Sequence, residues 1–311
     1  MALNDAHCHF FSPVFFDRLM DELVRASRGA AAGRRTPVPQ VLAWEDPGSP
    51  DELADRWVAE LDRHGVTRAV LIASVPGDEA SVASAVSRHP SRLVGACMLN
   101  AAAPDAPDRA ALALGDLGLR MVCLFPAMHH FRLDDESVGE VFELAKAHRG
   151  AIFAHCGVLT IGVRRKLGLP SPFDLRLGDP LALAVMASRY PEVPVIVPHF
   201  GAGFLREALM AAEACPNIHL DTSSSNGWIK YYPGLTLIDV FRRALDTLGP
   251  DRLLFGTDSS FFPRGWQQPI YEAQKSLLDT IGADAAVQTK IFGGNFERIF
   301  PSSSRPLASS Q

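Results

Sequence analysis

Short apolar runs rich in Val, Ile and Leu recur along the chain. Each is followed by turn residues and then by a longer stretch with apolar positions at helical spacing. This alternation is the signature of βα units that feed a parallel sheet. It predicts strands over 3–10, 66–74, 93–100, 119–125, 151–156, 193–199, 218–222 and 253–258, and helices over 51–64, 78–88, 134–147, 180–190, 204–214 and 235–248. Several of these helices begin with Asp, as the helix dipole favours. Eight parallel strands form either an open doubly wound sheet or a closed barrel. The count, with a length of 311 residues, favours one (β/α)8 TIM barrel over 1–300, with its site at the carboxyl ends of the strands.

Two segments break the rhythm, and both follow strands. Residues 12–50 contain Gly29, Gly33, Pro37, Pro39, Pro47 and Gly48 and read as a long insertion after the first strand. Residues 158–178 form a second long loop, with Arg164, Arg165 and Lys166. Long loops in a compact domain usually serve as lids or binding loops. The Ser-rich tail 301–311 is expected to be disordered.

With 47% hydrophobic and 21% charged residues, the chain can bury a large core. A net charge of −5 with dispersed Lys and Arg excludes a phosphate-binding stripe, so no nucleic acid is expected. No apolar run reaches the roughly 18–20 residues of a membrane span, and the first residues lack a basic segment followed by a hydrophobic one. A cytoplasmic protein without a membrane partner is the expectation. The five cysteines form no Cys-x-x-Cys pair and read as small buried hydrophobes, Cys8 and Cys156 included.

Candidate chemistry comes from the histidines. His7 and His9 lie two apart on a strand and so share a face. His155, His199 and Asp258 fall at the ends of the fifth, sixth and eighth predicted strands, so all five side chains reach one rim. A lone buried histidine is more often a hydrogen-bonded core residue than a ligand. Four histidines and an aspartate at strand ends are harder to explain by packing, because a buried polar cluster without a partner is costly. Three histidines and one aspartate suit a divalent cation such as Zn, with a position left open for water. His64, His89 and His148 lie in the last turns of helices, where they complement the dipole. His129 and His130 follow the fourth strand near the mouth, and His219 begins the seventh strand, away from the rim.

The motifs Asp5-Ala6-His7-Cys8-His9, Ala154-His155-Cys156-Gly157, Pro198-His199-Phe200-Gly201, Ile218-His219-Leu220-Asp221-Thr222-Ser223 and Phe255-Gly256-Thr257-Asp258, in this order, resemble the amidohydrolase superfamily. More narrowly they resemble its amidohydrolase 2 branch, which includes aminocarboxymuconate-semialdehyde decarboxylase. The resemblance implies a distorted barrel with one divalent metal, Zn or alternatively Mn. It implies His7, His9, His155 and Asp258 as ligands, His199 as the group that holds or deprotonates water, and a homodimer. Members with two metals bridge them with a Lys or Glu from the fourth strand; here that strand, Gly118 to Pro126, has neither.

The branch divides between hydrolases and nonoxidative decarboxylases. His199-Phe200-Gly201-Ala202 lacks the Glu of the His-x-Gly-Glu pattern found in many of the decarboxylases, which favours a hydrolase acting on a small cyclic ester or amide-type substrate. Catalysis is then expected from His199 and Asp258. The alternative is decarboxylation of an aromatic or unsaturated acid. Arg120, Arg164, Arg165 or Arg206 are candidates to clamp a carboxylate. Trp228 and Phe262, with Phe10, Phe11, Phe125, Phe261 and Trp266, are candidates to line the mouth.

Overall fold

The structure, a computed structural model, describes residues 2–27, 36–224 and 226–302. Eight parallel strands run in sequential order: β1 (Asn4–Phe10), β2 (Arg68–Ala73), β3 (Leu93–Leu99), β4 (Met121–Leu124), β5 (Ala151–Ala154), β6 (Val195–Val197), β7 (Ile218–Asp221) and β8 (Leu253–Leu254). Hydrogen bonds from Ala6 N to Phe255 O, Asp258 N to His7 O and His9 N to Ser259 O join the last strand to the first, so the sheet curls into a barrel. The expected (β/α)8 architecture is therefore present. The later strands are shorter than their apolar runs predict, because the chain turns out of the ladder before the polar residues that end each run. His155, His199 and Asp258 thus sit just beyond their strands, on bent backbone.

Side chains alternate between two apolar layers, as period-two strands demand. Val70, Ile72, Ala96, Met98, Met121, Cys123, Phe153 and Ile196 fill the barrel, while Leu71, Val122, Ile152, Val195 and Leu220 meet the surrounding helices. Phe296, Ile299 and Phe300 close the amino end of the interior. There Arg68 Nη1 donates to Glu297 at 2.7 Å and to the Phe300 carbonyl at 2.6 Å. The carboxyl end is left as the mouth.

Both interruptions of the rhythm lie over that mouth. The insertion contains a helix, Pro13–Ala26, started by Ser12 as its cap with Pro13 in the first turn. Its Phe15, Phe16 and Leu19 pack with Val38 and with Val163 and Leu169 of the 158–178 loop. Arg164 ties the two segments through Glu22 at 2.6 Å. Gly29 and Gly33 lie outside the described residues, as do 303–311 of the expected tail. All five cysteines are free and buried. Among the described residues, no helix is long and apolar enough to cross a membrane.

Two further histidines, His219 buried and His129 half-buried, make the fold acid-sensitive. Burial pushes His129 and His219 down to about 4, with Arg252 and Arg298 adding to the effect at His219. The unfolded chain therefore binds more protons than the folded one between about pH 6.5 and 4, so stability falls as pH drops through that window. Denaturant midpoints are expected to decline from pH 7 to pH 4. His219→Gln should flatten that decline by on the order of 1–3 kcal/mol.

Candidate metal centre

β1 brings its two histidines inward by means of an irregularity. Its register with β2 slips between Asp5 and Cys8, where three steps on β1 match two on β2. This bulge points Asp5 outward, where it accepts from Thr257 Oγ1 at 2.5 Å and Trp266 Nε1 at 2.7 Å. Beyond it, Cys8 and Phe10 join the outer core, while the His7 ring meets the interior Phe153 at 4.9 Å. Bulges commonly re-aim side chains next to active sites.

The far nitrogens of both histidines are set by their near ones. His7 Nδ1 is 2.6 Å from Asp221 Oδ2, a buried carboxylate that donates nothing, so Nδ1 carries the proton. His9 Nδ1 is 2.8 Å from Ser74 Oγ, whose own hydroxyl donates to the Ile72 carbonyl. Nε2 of each ring is thereby turned toward the same carboxylate: Asp258 Oδ1 is 3.2 Å from His9 Nε2 and 3.8 Å from His7 Nε2. Two imidazoles and a carboxylate turned on one point are a donor set that suits a divalent cation. One ligand atom from each of His7, His9 and Asp258 lies within 4.8 Å of the others, which makes these three a candidate metal site.

His155 is brought to the edge of this group and is not one of those three. Its ring lies 5.5 Å from His199 and 5.4 Å from Phe125, and its buried Nδ1 has no hydrogen-bond partner. A buried imidazole nitrogen with no partner among the described residues, at the edge of such a group, suits a fourth ligand. Burial, then the neighbouring His199 and His7, push its pKa well below the usual histidine range, so it is a neutral donor. The inward positions of β4 are Met121 and Cys123, with Phe125 following. No β4 carboxylate or amine faces the centre.

His199 occupies a strained turn. His199, Phe200 and Ala202 all have left-handed φ, of 54°, 53° and 43°, a conformation that non-glycine residues hold only when surroundings enforce it. Here Val158 N donates to the Ala202 carbonyl at 2.7 Å, binding the β5 loop to the β6 loop. The result places His199 5.2 Å from the His7 ring, with Nδ1 2.9 Å from Ser223 Oγ. Burial lowers its pKa, against the pull of Asp258. Burial raises the Asp258 carboxyl, but the His9 hydrogen bond and the His7 and His9 charges outweigh it and hold it far below the usual range. Asp258 is itself left-handed at φ 60°.

Sequence reasoning did not single out Asp221, Ser223 or Ser74 as site residues, although these orient the histidines. The signal was the Asp221-Thr222-Ser223 run at the end of a strand. Gly256 belongs with them, since a Cβ there would stand 2.8 Å from both Asp221 Oδ1 and His7 Cβ. Partners of this kind raise metal affinity by fixing the tautomer. Asp221→Asn is expected to weaken metal binding about 10- to 100-fold, read by chelator competition, while leaving the fold intact.

The expected substrate contacts fall elsewhere. Arg120 precedes β4, donates to the Arg149 carbonyl and faces the amino end of the barrel, out of reach of the mouth. Arg164 is consumed by Glu22 and by the Pro170 carbonyl. Arg165 is exposed, and Arg206 pairs with Glu207. Trp228 is buried in the outer core. Phe262 turns outward against Trp57, 5.2 Å between ring centres, because neighbouring residues in this loop face opposite ways. Phe10 and Trp266 are likewise outer-core residues. Phe11, Phe125 and Phe261 stay near the centre.

No curated protein matches the sequence. Among solved structures, the chain is similar to a manganese-bound 5-carboxyvanillate decarboxylase from Novosphingobium aromaticivorans, with 16% identity, TM-score 0.62 and 96% of each chain covered. It is similar to a zinc-bound amidohydrolase from Burkholderia multivorans, with 14% identity, TM-score 0.63, and 97% of this chain and 100% of the other covered. A probable 2-pyrone-4,6-dicarboxylic acid hydrolase from Acinetobacter baumannii is also similar, with 14% identity, TM-score 0.59, and 96% and 99% covered. At these identities the likeness speaks to the fold. The family model described as Amidohydrolase (Amidohydro_2) matches residues 5–301, and the chain therefore belongs to that amidohydrolase family.

Proposed function

We propose that the chain is a hydrolase that uses one divalent metal, Zn in preference to Mn, to cleave a small cyclic ester or amide-type substrate. His7, His9, His155 and Asp258 would hold the metal. A divalent cation held there supplies Lewis acidity, polarising a carbonyl and acidifying water. The apolar inward face of β4 supports a single ion. The observation that carries hydrolysis is His199: a buried, neutral imidazole, oriented by Ser223, stands beside the ionised Asp258, and Ala202 occupies the position where a decarboxylase-type Glu would follow.

His199 would accept a proton from water as the carbonyl is attacked, and the same proton would be relayed by way of the Asp258 carboxylate to the leaving group as its bond to the carbonyl carbon breaks. Because burial lowers the His199 pKa, the base form persists below pH 6.5. The acid limb of kcat/KM is therefore expected below the pKa of a free histidine, and a limb at or above pH 7 would contradict this role.

Decarboxylation of a ring carboxylic acid is the second reading, favoured by the decarboxylase among the structural neighbours. A screen of lactones, amides and aromatic acids separates the two. Hydrolysis lost in His199→Ala supports the first reading; carbon dioxide release from an acid, lost in the same variant, replaces it with the second.

A further inference from the structure

Three loops meet beside the ligand cluster, and they meet on aromatic rings. Trp44 from the insertion stacks on Phe261 from the loop after β8, with centroids 3.8 Å apart and planes within 10°. Phe11 extends this wall, 6.0 Å from Trp44 and 5.8 Å from the His9 ring. Two cations flank it. Lys166, from the loop after β5, places Nζ 5.6 Å from the Trp44 centroid, and the Arg264 guanidinium lies 4.5 Å over Phe261.

Arg264 is fastened to the centre itself. Its Nη2 donates to the Asp258 carbonyl at 3.2 Å and to Ser260 Oγ at 2.7 Å. Its Nε and Nη1 donate to nothing among the described residues, and neither Arg264 nor Lys166 enters an ion pair there. Most other arginines at this end of the barrel are neutralised: Arg164 by Glu22, Arg109 by Glu79 and Arg56 by Glu45. A guanidinium held in place by a ring and two acceptors, with donors to spare and only the through-space charge of Asp258 acting on it, is preorganised for an anion once a cation takes up that carboxylate.

We propose that Arg264, assisted by Lys166, anchors a carboxylate of the substrate at the edge of the metal centre, with Phe11, Trp44 and Phe261 bordering its ring. The substrate class is then ring-bearing carboxylic acids with a second, hydrolysable group. This rests on the hydrolase reading given above and adds the residues that select the substrate.

The test is binding without turnover. Zinc-loaded protein is titrated with 4-fluorobenzoate and with its uncharged counterpart 4-fluorobenzamide, followed by fluorine NMR. The wild type should bind the benzoate at least about tenfold more tightly than the amide. Arg264→Gln should erase that preference while zinc content and amide affinity hold, Arg264→Lys should restore part of it, and Lys166→Gln should reduce it about two- to threefold. An undiminished preference in Arg264→Gln overturns the anchor. If the preference vanishes in Arg264→Gln and the enzyme nevertheless hydrolyses nothing, the anchor stands and the hydrolase reading falls. If lactones are hydrolysed and Arg264→Gln leaves KM for acidic and neutral lactones equally unchanged, the anchor alone falls.

Discussion

Asp258→Asn is expected to lower kcat/KM by at least about 10³-fold, because the proton transfer and charge stabilisation at this residue are each worth several kcal/mol. Asparagine is chosen because it tolerates the left-handed φ of 60° that this position requires. It also keeps the volume of the side chain, so the fold should survive. What it removes is the negative charge that faces Nε2 of His7 and His9, 3.8 and 3.2 Å away. Thermal melting of the metal-free variant should stay close to that of the metal-free wild type, since the asparagine oxygen can still accept from His9. A large activity loss without a stability loss identifies a chemical role. Equal losses in both would identify a structural one.

Gly157→Ala is expected to destabilise the protein by about 3 kcal/mol or more and to depress kcat as well. Gly157 has φ 74°, and a methyl there would collide with the carbonyl oxygens of Gly201 and Ala202. Its amide donates to the Gly178 carbonyl at 2.9 Å, so the residue cannot simply swing away. Relief requires the His199–Ala202 turn to move, and that turn carries the proposed base. Urea titration reads the stability loss, and single-turnover kinetics read the displacement of His199. Gly65→Ala is the matched control: its φ of 67° imposes the same left-handed strain, but a Cβ there meets nothing. It should cost stability without touching kcat.

The barrel was legible because period-two burial writes itself into each strand. The spacing of His7 and His9 correctly implied a shared face, yet simple alternation would have put Asp5 there too. The bulge between Asp5 and Cys8 reverses that parity, and nothing in the local residue types announces it. Partners that meet across the barrel were harder to see, since Asp221 lies 214 residues from the His7 it orients. The Ser12-Pro13 cap signal was readable, but the segment's glycines and prolines made it look like loop, and the helix Pro13–Ala26 was not anticipated. Loop side chains were least legible. Phe261 faces the mouth and Phe262 the outer helix, and the unforeseen Arg264 reaches the centre while Arg164 is spent on Glu22. Direction in a loop depends on backbone turns that carry no periodicity.

Anomalous diffraction at the zinc edge, from crystals grown with zinc, reads directly whether the four proposed side chains hold one metal ion. A single peak is expected, about 2.0–2.2 Å from His7 Nε2, His9 Nε2, a His155 ring nitrogen and an Asp258 carboxylate oxygen. Two peaks, or one peak without His7 and His9 among its ligands, would contradict it.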